Sequence, residues 1–258
     1  MIMDTESAPF AIALFLGMVL FLELGRRIGR RMHADAPEHA STGVGAIEGA
    51  VFALFGLLIA FTFSGAASRF DDRRQLIIDE ANDIGTAWSY LDLLPVKEQG
   101  SLRDLFRTYT DARIATFEKL PDIAAAEAEL ARSIALQDEI WIQAIAVCEA
   151  KKDTATTNLV LGALNEMNNI TTSRTAATRI HPPPTIFGLL FAMGLCSALL
   201  AGFGMAGNPK RSWLHILGFA AAIALCVYVI RDIEYPRLGL IRVTATDQVM
   251  KDLRASMK

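Results

Sequence analysis

The feature that most constrains the fold of this chain is an apolar stretch that passes into an amphipathic one without a residue strong enough to end a helix. No residue between Glu48 and Arg69 is charged, and about 20 such residues span the hydrocarbon core of a bilayer. After Arg69, apolar residues recur at helical spacing from Ile77 to Leu91. We therefore predict one helix that crosses a membrane and continues beyond it, unbroken, to about Leu94.

Three further segments are apolar enough to cross a membrane, over residues 9–24, 185–207 and 212–230. The first is not expected to be a cleaved secretory signal, because four arginines follow it where a small-residue cleavage site would stand. Residues 208–211, with the sequence NPKR, predict a short turn that makes the last two spans antiparallel neighbours. The chain is thus predicted to contain four transmembrane helices.

Between the second and third spans the sequence pattern is helical throughout. Apolar residues repeat at three- and four-residue spacing, and no alternating strand pattern interrupts them. Asp122 is typical of a helix start. The fold class is therefore predicted as all-α, a four-transmembrane-helix bundle whose long second helix continues into a helical soluble unit. We expect four large side chains to be buried in that unit: Trp88, Phe106, Trp141 and Leu164.

This organisation divides the chain into four parts. Transmembrane helices 1 and 2 occupy residues 1–68, and the helical extramembrane unit occupies residues 69–184. Transmembrane helices 3 and 4 occupy residues 185–231, and a polar tail over residues 232–258 is expected to pack on the helical unit. The arginines of the short loop over residues 26–46 favour placing the helical unit outside the cell, but arginines also flank the spans on the opposite side.

Composition and motifs exclude several function classes. The net charge is −3 and the basic residues are scattered, so no nucleic-acid partner is expected. The three cysteines and four histidines lack the spacing of a zinc site or a disulfide framework. No nucleophile elbow or glycine-rich phosphate loop occurs either. We therefore expect no metal, no cofactor and no enzymatic activity, with the lipid bilayer as a partner.

A group of acidic residues follows the second span. Because these residues lie along a helix and not on a tight turn, a solvated face paired with Arg73 and Arg74 is a simpler interpretation than a cation site. A cation or regulatory contact is the alternative. The residues are Asp71, Asp72, Asp79, Glu80 and Asp83.

The second span carries a stripe of small residues. Residues of this kind at three- and four-residue spacing let membrane helices approach closely. We therefore predict a helix-packing face, either inside the protomer or between protomers. Its members are Gly45, Gly49, Ala53, Gly56, Ala60 and Ser64.

A second stripe on the same span is bulky and apolar. Rings of such side chains around an axis can close a pore by excluding water, although a lipid-facing or core position is the alternative. Glu48 lies at the mouth of the span. One interpretation gives it an ion-path or inter-helix role, and the alternative is an interfacial carboxylate in water. The pore-lining candidates are Phe52, Phe55, Ile59 and Phe63, together with Glu48.

Two stretches resemble the signatures of the bestrophin-like domain family, a group of four-span, prokaryotic-type membrane proteins. The first extends from Gly56 to Pro95 and reads GLLIAFTFSGAASRFDDRRQLIIDEANDIGTAWSYLDLLP. The second extends from Asp232 to Val243 and reads DIEYPRLGLIRV. The resemblance covers nearly the whole chain in order and spacing.

This resemblance implies a more distant likeness to bestrophins. Bestrophins are pentameric anion channels whose second helices line the pore around an apolar neck, with the helical unit in the cytoplasm. No bestrophin neck motif matches this chain residue for residue, and the calcium clasp of animal bestrophins has no counterpart in it. The cytoplasmic placement also conflicts with the short-loop arginine count.

Two function classes follow from these observations. One is an oligomeric bestrophin-like channel for small anions, a multi-pass homo-oligomer of the inner cell membrane with the second span around the axis. The other is a non-conducting, membrane-anchored helical sensor or scaffold. A ring-shaped oligomer would favour the channel, whereas a monomer or dimer would favour the scaffold.

Overall fold

The computed structural model describes residues 7–35, 44–207, 212–237 and 239–258. Within these ranges the chain forms eight α-helices and no strand, which confirms the all-α prediction. The predicted turn at residues 208–211 lies outside the described residues. The helices are α1 (Ser7–Asp35), α2 (Val44–Tyr90), α3 (Val96–Glu118), α4 (Ile123–Lys151), α5 (Thr154–Ala177), α6 (Pro184–Gly204), α7 (Trp213–Glu234) and α8 (Thr244–Ser256).

Four of these helices, α1, α2, α6 and α7, are long and apolar enough to cross a membrane, as predicted. Helix α2 runs for 47 residues and a short 3-10 turn follows it at Leu91–Leu93. No break occurs where the sequence changes from apolar to amphipathic, so the prediction of one continuous helix is confirmed. Pro95 then precedes α3, consistent with the helix ending ahead of a proline.

The described chain divides into two compact units. One comprises residues up to Arg69 together with residues 181–235, and the other comprises residues 70–180 and 236–258. The first contains α1, the apolar half of α2, α6 and α7, and we refer to it as the membrane unit. The second contains the remainder of α2 with α3, α4, α5 and α8, and we refer to it as the extramembrane unit.

The core of the membrane unit forms where α1 packs against α6 and α7. Leu14, Met18 and Leu22 of α1 are fully buried beside Ala198 of α6 and Val227 of α7. These α1 residues recur every four positions, so they fall on one face of the helix. Burial of a single stripe leaves the other faces of α1 for the surrounding lipid.

Glycines bring the backbones of α1 and α6 unusually close. A Cβ atom added at Gly25 would lie 1.9 Å from the carbonyl oxygen of Leu199, and one added at Gly202 would lie 2.0 Å from that of Leu22. Only a residue without a Cβ fits at either place. Small residues allow this kind of approach between membrane helices, and here the close pair is α1 with α6.

The extramembrane unit has a separate apolar core. Phe106 and Leu164 are fully buried in it, as predicted. Trp88 and Trp141 are half-buried and pack against the same core, so they are less enclosed than the sequence indicates. Met250 of α8 also belongs to this core, so the C-terminal segment packs on the helical unit.

Side-chain caps fix where two helices of this unit begin. The carboxylate of Asp122 accepts a hydrogen bond from the backbone N–H of Ala125 at 3.0 Å, so Asp122 caps α4 as the sequence predicts. Asp153 caps α5 in the same way through Ala155. Each cap satisfies a backbone donor that the first helical turn leaves unpaired.

Candidate functional site

The apolar half of α2 turns one face toward its own protomer. Phe55 is only 2% exposed, and a Cβ atom at Gly194 of α6 would lie 3.5 Å from its ring. Thr62 and Ala66 lie on the same face and are also buried. Thr62 follows Phe55 by seven residues and Ala66 follows Thr62 by four, which places all three on one side of the helix.

The predicted pore-lining residues occupy different environments in the protomer. The ring of Phe52 packs edge-to-face on Phe219 of α7, with 6.2 Å between ring centres. Ile59 is half-buried, whereas Phe63 is 44% exposed. The pore-lining role stays a prediction; Phe55 fits it least, because its side chain is enclosed by its own protomer, and Phe63 fits it best.

The stripe of small residues lies on the outer surface of the protomer. All six members, Gly45, Gly49, Ala53, Gly56, Ala60 and Ser64, are exposed. No atom of the described residues would lie within 4 Å of a Cβ atom at any of the three glycines of the stripe. If the stripe is a helix-packing face, its partner is therefore not a described helix of the same protomer.

A bulky exposed stripe lies across the helix from Phe63. Its members Leu54, Leu57 and Phe61 are all exposed, and Phe61 is the most exposed of them at 68%. Successive residues of an α-helix are about 100° apart, so Phe61 and Phe63 point to nearly opposite sides of α2. Helix α2 thus presents two different apolar faces, with the small-residue stripe between them.

Glu48 lies near the start of α2 and faces α6. A Cβ atom at Gly204 would lie 3.1 Å from the Oε2 atom of Glu48, so the carboxylate packs closely against α6 at this glycine. Its Oε1 atom is buried and has no hydrogen-bond partner among the described residues. A carboxylate held in this way on a membrane helix is a functional candidate, because burying its charge is costly.

A cluster of charged groups lies at the other end of the membrane unit. Arg69 of α2 donates hydrogen bonds to both carboxylate oxygens of Glu234 in α7, at 2.8 and 2.9 Å. The Nδ1 atom of His181 lies 3.5 Å from the same carboxylate, and its ring stacks on Tyr235. Arg69 and Glu234 come from the two signature stretches, so those stretches meet at this ion pair.

A second charged cluster lies inside the extramembrane unit. Glu80 of α2 is 0% exposed and accepts a hydrogen bond from the Nε atom of Arg113 at 2.5 Å. It also accepts one from Arg174 of α5. Three helices, α2, α3 and α5, are therefore joined by one buried carboxylate.

The charges of this cluster depend on one another. Burial disfavours the ionised form of Glu80, but the charges and hydrogen bonds of Arg113 and Arg174 outweigh it and hold the pKa of Glu80 below its usual value. Burial alone would lower the pKa of Arg113, yet the adjacent Glu80 carboxylate raises it above its usual value. Burial lowers the pKa of Arg174, but an arginine stays protonated at neutral pH, so all three groups are charged there.

This position corrects the interpretation of Glu80 as part of a solvated acidic face. Asp71 and Asp72 are exposed, and Asp71 pairs with Arg74 as predicted. Glu80, by contrast, lies on the buried stripe of Ile77 and Ile84. Glu80 follows Ile77 by three residues and precedes Ile84 by four, and this helical spacing could have predicted its burial from the sequence.

A metal site cannot be built from the described side chains. Among them, no group of three or more His, Cys, Asp or Glu residues is arranged to hold a metal ion. The acidic residues of α2 therefore do not support a cation-binding site. The charged clusters bind other protein groups instead, and the outer face of α2 is the candidate functional surface of the membrane unit.

Comparisons with known proteins identify relatives of this architecture. The sequence model of a family described as Bestrophin-like domain matches residues 12–248. A bacterial bestrophin homolog from Klebsiella pneumoniae, solved by Zn-SAD phasing, is 14% identical with a TM-score of 0.68, over 95% of this chain and 97% of that chain. A variant of the same homolog is 15% identical with a TM-score of 0.66, over 93% and 97% of the two chains.

A further solved structure, described as a membrane protein, is 14% identical with a TM-score of 0.70 and covers 96% of this chain and 98% of that chain. At these identities the likeness shows the fold and not the activity. No functionally curated protein matches the chain.

Proposed function

Because this chain belongs to the bestrophin-like domain family, we propose that it is a multi-pass protein of the inner cell membrane that assembles as a ring and conducts small anions. The observation that carries the proposal is the outer surface of α2. Its membrane half presents a stripe of small residues and two exposed phenylalanines. Bestrophins, which the sequence resembles, place their second helices around a pore.

The small-residue stripe supports assembly through α2. Exposed glycines offer no side-chain packing of their own, but they allow the backbone of another helix to approach closely. A second copy of the chain would bring an identical helix with the same stripe. We therefore assign this stripe to the contact between neighbouring protomers.

The apolar side chains beside the stripe supply the proposed constriction. In a ring, a residue at the edge of the contact face turns toward the axis, where repeated bulky side chains exclude water and ions until they move apart. Phe63 is the exposed member of the predicted pore stripe. Phe61, on the opposite side of α2, would then face lipid.

Flux measurements on two phenylalanine variants test this assignment. Phe63→Ala is expected to raise chloride efflux from liposomes about tenfold or more over wild-type protein, because removing the ring widens the constriction. Phe61→Ala removes the same group from the opposite side of the helix and is the matched control. Its efflux is expected to equal that of wild-type protein.

Each other outcome has a definite consequence. An increase with Phe61→Ala alone would place the axis on the opposite side of α2. No efflux from well-folded wild-type and variant proteins, over a range of pH and salt, would rule out the channel. The continuous helix α2 would then serve the non-conducting sensor or scaffold that the sequence also allows.

The assembly step has its own prediction. Gly56→Leu is expected to reduce the oligomer to smaller species, because a leucine side chain in the middle of the small-residue stripe separates the backbones that meet there. Mass measurement in detergent by light scattering checks this. Gly188→Leu, at an exposed glycine of α6 with open space around it, is the control. An unchanged oligomer mass for Gly56→Leu would remove the stripe from the interface.

A further inference from the structure

A cavity of about 410 Å³ lies within the extramembrane unit. Residues of α3, α5 and α8 and of the segment that precedes α8 line it. Its walls are rich in basic side chains, which are Arg113, Arg174, Arg237, Arg242 and Lys251. The volume falls in the range of small-molecule sites, roughly 300–1,000 Å³.

Arg113 lines this cavity, and most of its donors are unused among the described residues. Its side chain is 0% exposed, and only its Nε atom donates, to Glu80. The Nη1 and Nη2 atoms are buried and have no hydrogen-bond partner among the described residues. A guanidinium carries five N–H donors, so four remain for an acceptor. Buried charged donors are costly to leave unpaired, so an acceptor bound beside Arg113 would stabilise this arrangement.

The charges around the cavity are unbalanced. Arg113 and Arg174 share the carboxylate of Glu80, while Arg237 binds both oxygens of Asp247 at 2.8 and 2.9 Å. Arg174 also reaches Asp247 at 3.4 Å. Three guanidinium groups thus face two carboxylates, which leaves one positive charge in excess.

Two further basic residues that line the cavity are exposed. Lys251 is neutralised by Glu118, at 2.5 Å. Arg242 donates its Nε atom to the carbonyl oxygen of Gly239 and forms no ion pair with a described residue. The excess therefore rises to two positive charges when Arg242 is included.

An aromatic side chain holds the guanidinium groups in place. The Cζ atoms of Arg174 and Arg237 lie 3.8 and 4.5 Å from the centre of the Phe117 ring. A guanidinium stacked on a ring keeps the N–H groups of its plane free to donate. Phe117 therefore orients the arginines without using their donors.

We propose that this cavity binds a phosphate group, either as inorganic phosphate or as part of a phosphorylated small molecule. Converging guanidinium donors with an excess of positive charge match the geometry and charge of an oxyanion better than those of a halide ion. All the lining residues belong to the extramembrane unit, so the site does not depend on conduction or on assembly.

Calorimetric titration of the purified full-length protein in detergent tests the proposal. The probes are inorganic phosphate, pyrophosphate and, at matched ionic strength, sodium chloride. Saturable binding of either phosphate probe and none of chloride is expected. Tighter binding of pyrophosphate would identify a phosphorylated small molecule as the ligand, whereas tighter binding of phosphate would identify the free ion. No saturable binding of either would overturn the proposal.

Variants locate the binding. Arg242→Gln, at an exposed position, is expected to fold normally and to weaken phosphate binding roughly 5- to 10-fold, because one charge-assisted hydrogen bond is lost. Arg132→Gln removes the same charge from an exposed site on α4 that does not line the cavity, and it should leave the affinity unchanged. Equal affinities for wild-type protein and Arg242→Gln would show that phosphate binds elsewhere.

Discussion

Replacing Glu80 by Gln is expected to lower the free energy of unfolding of the extramembrane unit by about 3–5 kcal/mol. The glutamine is nearly the same size, so little packing is lost. What is lost is the carboxylate that Arg113 and Arg174 share at short distance. Arg113 would stay buried with a neutral acceptor, and Arg174 would keep only its longer contact with Asp247, at 3.4 Å. Uncompensated buried charge is strongly destabilising.

Urea unfolding in detergent, followed by tryptophan fluorescence, measures this effect. Trp88 and Trp141 pack against the core of the extramembrane unit, so their emission follows its unfolding. Asp71→Asn is the matched control, because it removes a carboxylate from the same helix where the side chain is exposed and pairs only with Arg74. Exposed pairs contribute little. An equal, small change in both variants would show that the buried cluster does not stabilise the fold.

The stabilisation that this cluster provides depends on pH, and the direction of that dependence follows from the pKa of Glu80. That pKa is lowered in the folded protein, so the stabilisation is fully present above the unfolded value of about 4.3. It is lost as the pH falls through the folded value. Wild-type protein should therefore lose more stability on acidification than Glu80→Gln, and parallel curves for the two would contradict this.

Asp83 contributes to the pH dependence in the opposite sense. Burial and the charges of Glu166 and Asp79 raise the pKa of Asp83. Its contribution is present at low pH and is lost as the pH rises through the raised value. The charge of Glu80 also raises the pKa of Asp83, so this opposing effect is smaller in Glu80→Gln than in wild-type protein.

The regular pattern of apolar residues predicted the helices, because helical periodicity depends only on neighbours in sequence. The spans, the continuous helix α2 and the cap at Asp122 all belong to this class. So does the burial of Phe106 and Leu164. Each is decided by a local preference or by one stripe of a single helix.

Features that depend on pairs of residues far apart in the sequence could not be predicted in the same way. The partners of Glu80 are 33 and 94 residues away, and nothing local marks Arg113 or Arg174 as buried. The orientation of α2 is a similar case. Its membrane half is apolar on every side, so the sequence could not say that Phe55 faces the protomer and that the glycines face outward.

The glycines that separate membrane helices illustrate this limit most clearly. Spacing drew attention to the small residues of α2, three of which are glycines with open space around them. Among the glycines that the structure describes, the closest backbone approach instead involves Gly25 and Gly202, on α1 and α6. The sequence alone does not distinguish a glycine that faces lipid from one that contacts another helix.

Gly202→Ala is accordingly expected to destabilise the membrane unit strongly. The new Cβ atom would lie 2.0 Å from the carbonyl oxygen of Leu22, which belongs to a helix backbone and cannot turn aside as a side chain could. The helices must move apart, and α1 then loses contact with α6 along its buried stripe. We expect a loss at or above the upper end of the roughly 1–3 kcal/mol typical of overpacking.

Gly188→Ala is the control on the same helix, because a Cβ atom there meets nothing within 4 Å. Alanine is the better helix former by roughly 0.5–1 kcal/mol, so this variant should be as stable as wild-type protein or slightly more so. Thermal unfolding and the yield of monodisperse protein in detergent distinguish the two. Equal melting temperatures for both variants would mean that α1 and α6 are not in close contact.

The double variant Gly25→Ala/Gly202→Ala tests whether one helix crossing explains both glycines. A Cβ atom at Gly25 meets the carbonyl of Leu199, three residues before Gly202, while a Cβ atom at Gly202 meets that of Leu22, three residues before Gly25. One separation of the two helices relieves both clashes. The double variant should therefore lose clearly less stability than the sum of the single losses. Additive losses would instead require two independent contacts.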